Sequence, residues 1–296
     1  MLIESEYELP ELPPALETGA AEEADLRIGA AELADRWEQA QICNDYLALL
    51  DGSALVRIPG TAVFEMREGR ELAVSVAPNA DLDKVRLYVL GTCMGIVLMQ
   101  RKVLPLHGSA IAVDGKAYAI VGMSGAGKST LAAHLVMSGY RLASDDLIAV
   151  RFGEDGRPYA MPAYPQQKIW QESLELLGMS KTGLRPLADR ETKFSVPVRE
   201  RFCSDPLPLA GIFELVKSDK IAAVEPIAGL ERFQTLLKHT FRGSLLKRLG
   251  LMEWHFQTSA AFAGRLPMHR LYRPAADDSV RELAARLLET IDKEEN

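Results

Sequence analysis

The chain has 296 residues, 48% hydrophobic and 25% charged, an ordinary soluble composition long enough for one large domain or two smaller ones. A formal net charge of −7 excludes a general attraction for nucleic acid. Cys43, Cys93 and Cys203 are odd in number and widely spaced, which excludes a disulfide framework and any metal spacing, so reduced thiols are expected. The acidic start Met1-Leu2-Ile3-Glu4-Ser5-Glu6 is unlike a secretory signal, and the longest apolar run, Tyr88–Met99, is too short to cross a bilayer. A cytoplasmic protein with no membrane partner is expected.

In chain order, residues 1 to about 25 carry Glu and Asp but neither Lys nor Arg, and Pro10, Pro13 and Pro14 oppose regular structure, so a solvated tail is expected. A short helix follows from Ala31 to about Gln41. Strands are expected at Ala54–Ile58, Ala62–Met66 and Leu72–Val76, with turns at Pro59-Gly60 and Glu68-Gly69, giving an N-terminal α+β module over 1–80. Residues 81–296 form the expected catalytic domain. It opens with a helix from Asp81, its cap, to about Lys102, burying a stripe of Val85, Tyr88, Val89, Thr92, Ile96 and Met99.

Asp114-Gly115 between Ser109–Val113 and Lys116–Val121 is a hairpin signal. A helix is expected from Ser129 to Gly139, then Asp145-Asp146 and a strand over Leu147–Phe152. That strand is expected to lie beside the strand preceding the helix. The proline-rich stretch 160–210 reads as loops around one short helix, Gln171–Leu177. Leu209–Lys217 and Ala222–Ile227 read as paired strands. Helices are expected at Leu230 to about Leu249 and Trp254–Phe262, a late strand at Met268–Tyr272, and an amphipathic helix at Ser279–Asp292 capped by Ser279.

Gly122-Met123-Ser124-Gly125-Ala126-Gly127-Lys128-Ser129 fits G-x-x-x-x-G-K-[ST]. An apolar strand precedes it and a helix follows, which is the context a phosphate loop requires. Glycines let successive N–H groups curl round phosphate oxygens, and the helix N-terminus adds positive potential. Gly122, Ser124, Gly125, Ala126, Gly127, Lys128, Ser129 and Thr130 are therefore the candidate nucleotide-binding residues. Lys128 is placed on the β- and γ-phosphates of ATP and Ser129 on Mg²⁺. Adjacent residues of an extended segment point opposite ways, so one of Asp145 and Asp146 can face the metal while the other faces an acceptor hydroxyl. His107, beside Gly108, can hydrogen-bond Asp145. Lys193, Arg199 and the basic run Lys238–Arg242 with Lys247-Arg248 are further candidates for phosphate or peptide contact, against the alternative of solvated surface. Trp170 and Trp254 read as groove lining or as core.

The run from His107-Gly108 through the glycine motif to Gly139-Tyr140-Arg141-Leu142 and Asp145-Asp146 resembles the HPr kinase/phosphorylase family over about 45 residues. The resemblance implies an α/β kinase core of the phosphoenolpyruvate-carboxykinase-like P-loop type with a mixed sheet. It implies ATP and Mg²⁺ as cofactors, Asp145 as general base, His107 as its partner, Ser129 and Asp146 as the metal side, and a homo-oligomer. Two departures stand out. Thr130 occupies a position where the family usually has Glu, and Val196-Pro197-Val198-Arg199 continues as Glu200-Arg201-Phe202 where the family has Pro-Gly-Arg-Asn. The latter segment is tied to the reverse reaction, so no phosphorylase activity is expected. The pattern is similar to a divergent branch found with lasso-peptide biosynthesis, which implies a precursor peptide's C-terminal Ser as acceptor. HPr, a small-molecule acceptor, and nucleotide-dependent regulation without transfer are the alternatives.

Overall fold

The computed structural model describes residues 1–14, 23–188, 190–219, 222–274 and 279–295. The chain divides into two compact units. One holds Met1–Val103 with Leu187–Asp189 and Ser244–Trp254, the other Leu104–Pro186, Arg190–Gly243 and His255–Asn296. Among the described residues no helix is long and apolar enough to cross a membrane.

In the first unit β1 (Ile3–Ser5) and β2 (Leu26–Ala30) precede α1 (Ala34–Gln39), β3 (Gln41–Asn44), β4 (Leu47–Leu50), β5 (Ser53–Ile58), β6 (Ala62–Arg67) and β7 (Glu71–Val76). One seven-stranded sheet results, ordered β1-β2-β7-β6-β5-β4-β3. The acidic start is thus not wholly a solvated tail: Ile3–Ser5 pairs in parallel with Leu26–Ile28, which hides its backbone donors and acceptors in a ladder. Of the segment covered by that expectation, 15–22 lies outside the described residues. β3 and β4 were not legible as strands because their short runs lack strict alternation.

Asp81 caps α2 (Leu82–Tyr88) by accepting the Asp83 N–H at 2.9 Å. The helix passes through a π-helical turn, Val89–Cys93, into α3 (Met94–Gln100). This segment was expected with the catalytic domain. Its contacts place it instead with the first sheet: Gln100 Nε2 donates to the Met66 carbonyl at 3.0 Å, and Gln100 Oε1 accepts from the Gly69 N–H at 2.9 Å.

The second unit contains β8 (Leu104–Leu106), β9 (Gly108–Val113), β10 (Lys116–Gly122), α4 (Lys128–Met137), β11 (Arg141–Asp145), β12 (Ile148–Phe152) and β13 (Pro158–Met161). There follow β14 (Gln166–Trp170), α5 (Gln171–Leu176), β15 (Arg185–Leu187, its last residue counted with the first unit), β16 (Arg190–Pro197), β17 (Leu207–Ser218), β18 (Ala223–Pro226), α6 (Leu230–His239), α7 (Met252–Ala263, counted here from His255), β19 (Met268–Pro274) and α8 (Val280–Glu295). Its mixed sheet runs β11-β9-β10-β17-β13-β12-β8, with β19 beside β17 and β18 beside β19.

Alternation along β10 explains the layers. Ala117, Ala119 and Val121 face one apolar cluster with Leu236 and Phe262. Tyr118 and Ile120 face another, with Leu131 and Leu135 of α4 and Leu283 and Leu287 of α8. Helices thus cover both faces, which suits strands that are apolar throughout. Asp114 and Gly115 take φ of 46° and 77°, the left-handed pair that a tight two-residue hairpin needs.

Several expectations are corrected here. The strand after Asp146, β12, pairs with β8 and β13, and it is β9 and β17 that flank β10. β18 pairs with β19 rather than with β17. The stretch 160–210 forms a small sheet, β14-β16-β15, where loops were expected. α6 stops at His239, because Thr240 turns extended, the Phe241 N–H donates to the Pro105 carbonyl at 2.8 Å, and Thr240 Oγ1 lies 2.7 Å from His255 Nε2. Ser279 does not cap α8; its Oγ is buried without a hydrogen-bond partner among the described residues.

Part of the basic run proves structural. Glu214 on β17 is buried, and its carboxylate accepts from Lys238 Nζ at 2.8 Å and Arg270 Nε at 3.0 Å and lies 2.9 Å from His239 Nε2. The hydrogen bond with His239, aided by Lys238 and Arg270, outweighs burial and holds the Glu214 carboxyl at about 2, below its ordinary 4.5. A lowered native pKa means that this contribution is complete above the ordinary value and disappears as pH falls towards 2. Between pH 5 and 2 the wild-type chain should lose about 3 kcal/mol more urea stability than Glu214→Gln. Parallel curves for the two proteins would refute that assignment.

Candidate active site

The glycine-rich turn Gly122–Gly127 leaves β10 and enters α4 at Lys128. Its glycines are needed at particular points. Gly125 and Gly127 have φ of 77° and 104°, and a Cβ on Gly122 would lie 2.6 Å from the Leu215 carbonyl. The buried Lys128 side chain curls back to donate to the carbonyls of Gly122 (2.8 Å) and Met123 (3.2 Å). Burial pushes its pKa down.

The turn opens on a cleft of about 1020 Å³ lined by Ser124, Gly125, Gly127, Lys128, Ser129 and Thr130, and also by His107, Asp145 and Asp146. The structure therefore brings together most of the residues predicted from sequence. Gly122 and Ala126 shape the turn without lining the cleft. Thr130 Oγ1 is 2.7 Å from Ser173 Oγ, which ties α4 to α5.

The two acids have different surroundings. Asp145 ends β11 and is 6% exposed. Its Oδ1 accepts from Ser109 Oγ at 2.6 Å and its Oδ2 from the Lys168 N–H at 2.8 Å. Burial pushes its carboxyl up, partly offset by these two donors. Asp146 has φ 67°, an uncommon left-handed conformation for a residue other than glycine. Its Oδ2 accepts from Lys168 Nζ at 2.8 Å. Burial alone would raise its pKa, but the Lys168 charge and hydrogen bond win and hold it well below the usual carboxylate range.

His107 was expected to contact Asp145. Instead its Nδ1 is 2.9 Å from the Asp146 carbonyl and 3.5 Å from Asp146 Oδ1. The reason is local: the oxygens of Asp145 are occupied by Ser109 and Lys168, while the left-handed turn swings Asp146 towards the histidine. His107 is itself set by its N–H, which donates to the His239 carbonyl at 2.8 Å. Burial and nearby Lys128 push its pKa down.

Lys168 was missed by sequence reasoning. It lies on β14, inside the stretch read as loops, where Gln167, Lys168 and Ile169 are all buried, so the strand carries no alternation to read. Lys193, a candidate from sequence, lines the cleft with its Nζ 5.3 Å from the Trp170 ring centre. Trp170, 40% exposed, is cleft lining and not core. Arg199 lies outside the cleft lining, in a short 3₁₀ turn.

The donor set fits the groups expected here. Among the described residues no cluster of three or more His, Cys, Asp or Glu side chains can hold a metal. Ser129, Asp145 and Asp146 nevertheless give one cleft hard oxygen donors, which suits Mg²⁺, an ion that relies on few protein ligands and on substrate phosphates.

No family model matches the chain. It is similar to the HPr kinase/phosphorylase of Mycoplasmopsis pulmonis, with 42% identity over 69 residues, 23% of this chain and 22% of that protein. The match therefore spans about a fifth of the relative's length. Among solved structures, the Hpr(Ser) kinase/phosphatase from Coxiella burnetii aligns with 65% of this chain and 99% of its own, at 12% identity and a TM-score of 0.35. The chain is thus similar to HPr kinases in part of its sequence, on a mixed α/β framework.

Lys168 grips both acids, one through its amide and one through its ammonium. Lys168→Met leaves Asp146 without its close cation and should cost about 3–5 kcal/mol in urea denaturation. Combining it with Asp146→Asn should restore part of the loss, with a coupling of about 1–3 kcal/mol. Additive losses would show that the ion pair contributes nothing.

Proposed function

We propose that the chain is an ATP-dependent serine kinase whose acceptor is a peptide or protein. The observation that carries this reading is the convergence of the glycine-rich turn, Lys128 and two adjacent acids, Asp145 buried and Asp146 half-buried, on one cleft. Phosphoryl transfer needs little beyond positioned phosphates, a metal and a group to receive the acceptor's proton. In this reading the turn is a phosphate loop: backbone N–H groups and Lys128 bind the phosphates, and the Ser129 hydroxyl takes part in holding Mg²⁺. Bound Mg²⁺ would neutralise charge that develops on the phosphates.

The roles of the acids follow from their partners. Both oxygens of Asp145 already accept hydrogen bonds from fixed donors, which suits a fixed metal-side carboxylate. Asp146 is more open: one oxygen is held by Lys168 and the other is only 3.5 Å from His107. On position and exposure rather than basicity, Asp146, beside His107, is proposed as the acid that receives the serine proton. This exchanges the two roles that the family resemblance implied.

The acceptor is proposed to be a peptide because the acids share their cleft with an apolar lip, exposed Trp170 and Leu176, next to Lys193. A lasso-type precursor ending in serine is the first acceptor to offer. HPr is the second, since the partial match is to an HPr kinase/phosphorylase. Mass spectrometry of each acceptor after incubation with ATP and Mg²⁺ should show one added phosphate on serine. Asp146→Asn should lower the rate at least a hundredfold while nucleotide affinity stays within about threefold. Asp145→Asn should raise the Mg²⁺ requirement. Loss of nucleotide binding equal to the loss of transfer in Asp146→Asn would rule out the base role.

A further inference from the structure

The cleft has a second flank that the reading above does not use. Strand order places it. β10 delivers the phosphate loop from the middle of the sheet, with β9 and then β11 on one side and β17 and then β19 on the other. Register brings the strand ends to the same end of the sheet. Asp145 is level with Ser109, which is level with Ile120; Gly122 is level with Leu215, which is level with Leu271. The two acids therefore lie about 10 Å to one side of β10, and the end of β19 about 10 Å to the other.

Lys217 and Arg273 are register partners, two residues beyond the level of Gly122. Strand rise carries them about 7 Å further, alongside the phosphate loop. Arg273 reaches the loop itself: its Nη1 donates to the Ala126 carbonyl at 3.1 Å. It lies so close over Gly127 that a Cβ there would come within 2.9 Å of Nη1 and 3.5 Å of Cζ. Arg273 lines the cleft with Lys217, Ser218, Asp219 and Pro274. No ion pair to Arg273 is found among the described residues, whereas Lys168 on the opposite flank is matched by Asp146. The loop thus has the two acids on one flank, and Lys217, Asp219 and Arg273 on the other.

That asymmetry orients the nucleotide. The transferred phosphoryl group must lie towards the acids, because the proton acceptor and the metal-side carboxylate are there. The remaining phosphates and the nucleoside then extend across the loop towards β17 and β19. We infer that Arg273 is a direct ligand of the nucleotide's phosphate chain on its nucleoside side. The strand ends Lys217–Asp219 and Arg273–Pro274 form the subsite for the nucleoside of a di- or triphosphate. The guanidinium suits this task, since its planar fork can donate to the loop carbonyl and to a phosphate together. Ser218 and Asp219 supply polar groups at the nucleoside end.

This inference rests on the nucleotide-binding part of the proposed function. The test is calorimetric titration of the full chain with ATP, ADP and AMP in Mg²⁺, for wild type, Arg273→Ala, Arg273→Lys and Asp146→Asn. Arg273→Ala should weaken ATP and ADP at least tenfold and Arg273→Lys less, with Asp146→Asn close to wild type. In transfer assays the arginine variants should suffer more in nucleotide KM than in kcat. Thermal melts establish that each variant is folded; if Arg273→Ala is not, Arg273→Lys decides. ATP and ADP affinities within twofold of wild type in the folded variant would overturn the inference and leave the kinase reading standing. A wild-type chain that binds no nucleotide would overturn both.

Discussion

Two adjacent carboxylates, one buried and one half-buried at the end of a strand, repel each other and lose hydration, so the site depends on what compensates them. Lys168 and the Ser109 hydroxyl share that compensation. The lysine amide serves Asp145 and its ammonium serves Asp146, at 2.8 Å each. The lysine sits on β14, whose ladder partner, β16, lies on its other side, leaving the Lys168 N–H free to turn towards β11. The small three-stranded sheet is therefore part of the candidate active site: it carries the cation that lets two acids share one cleft. Asp146 holds a left-handed backbone, a local strain that the Lys168 and His107 contacts keep in place.

Around this pair the fold is a device for bringing distant segments to one end of a sheet. Antiparallel pairing of β9 with β10 and β11 places Ser109 beside Asp145, and the β9–β10 turn sends the chain into the glycine-rich loop. The C-terminal part of α6 braces His107 from behind through the His239 carbonyl, and the same His239 side chain is engaged by buried Glu214. A buried acid with three basic neighbours thus anchors the helix that aligns the histidine. Removing such an anchor acts on the site through geometry and not through direct chemistry.

The long, strongly patterned elements were legible in the sequence. The hairpin round Asp114-Gly115, the strand–glycine–helix unit, the Asp81 cap and the apolar stripe of α8 each depend on local chemistry, so residues close in sequence suffice to specify them. The candidate site residues His107, Lys128, Ser129, Asp145 and Asp146 were legible for the same reason, since each lies in or near a short motif. The 160–210 stretch was not, because its prolines mark turns between strands as well as loops, and its strands are too short to show a period. The end of α6 was missed because Phe241 and Thr240 are held by groups far along the chain.

The amino-acid sequence by itself determined a mixed α/β chain with a glycine-rich turn, a paired acid and a histidine, because spacing and side-chain type carry that information. Tertiary structure alone decided that His107 contacts Asp146, that Lys168 joins the acids, and that Arg273 lies across the loop. Those contacts span 22 to 147 positions of sequence, and only the order and register of the strands bring their partners within hydrogen-bond reach.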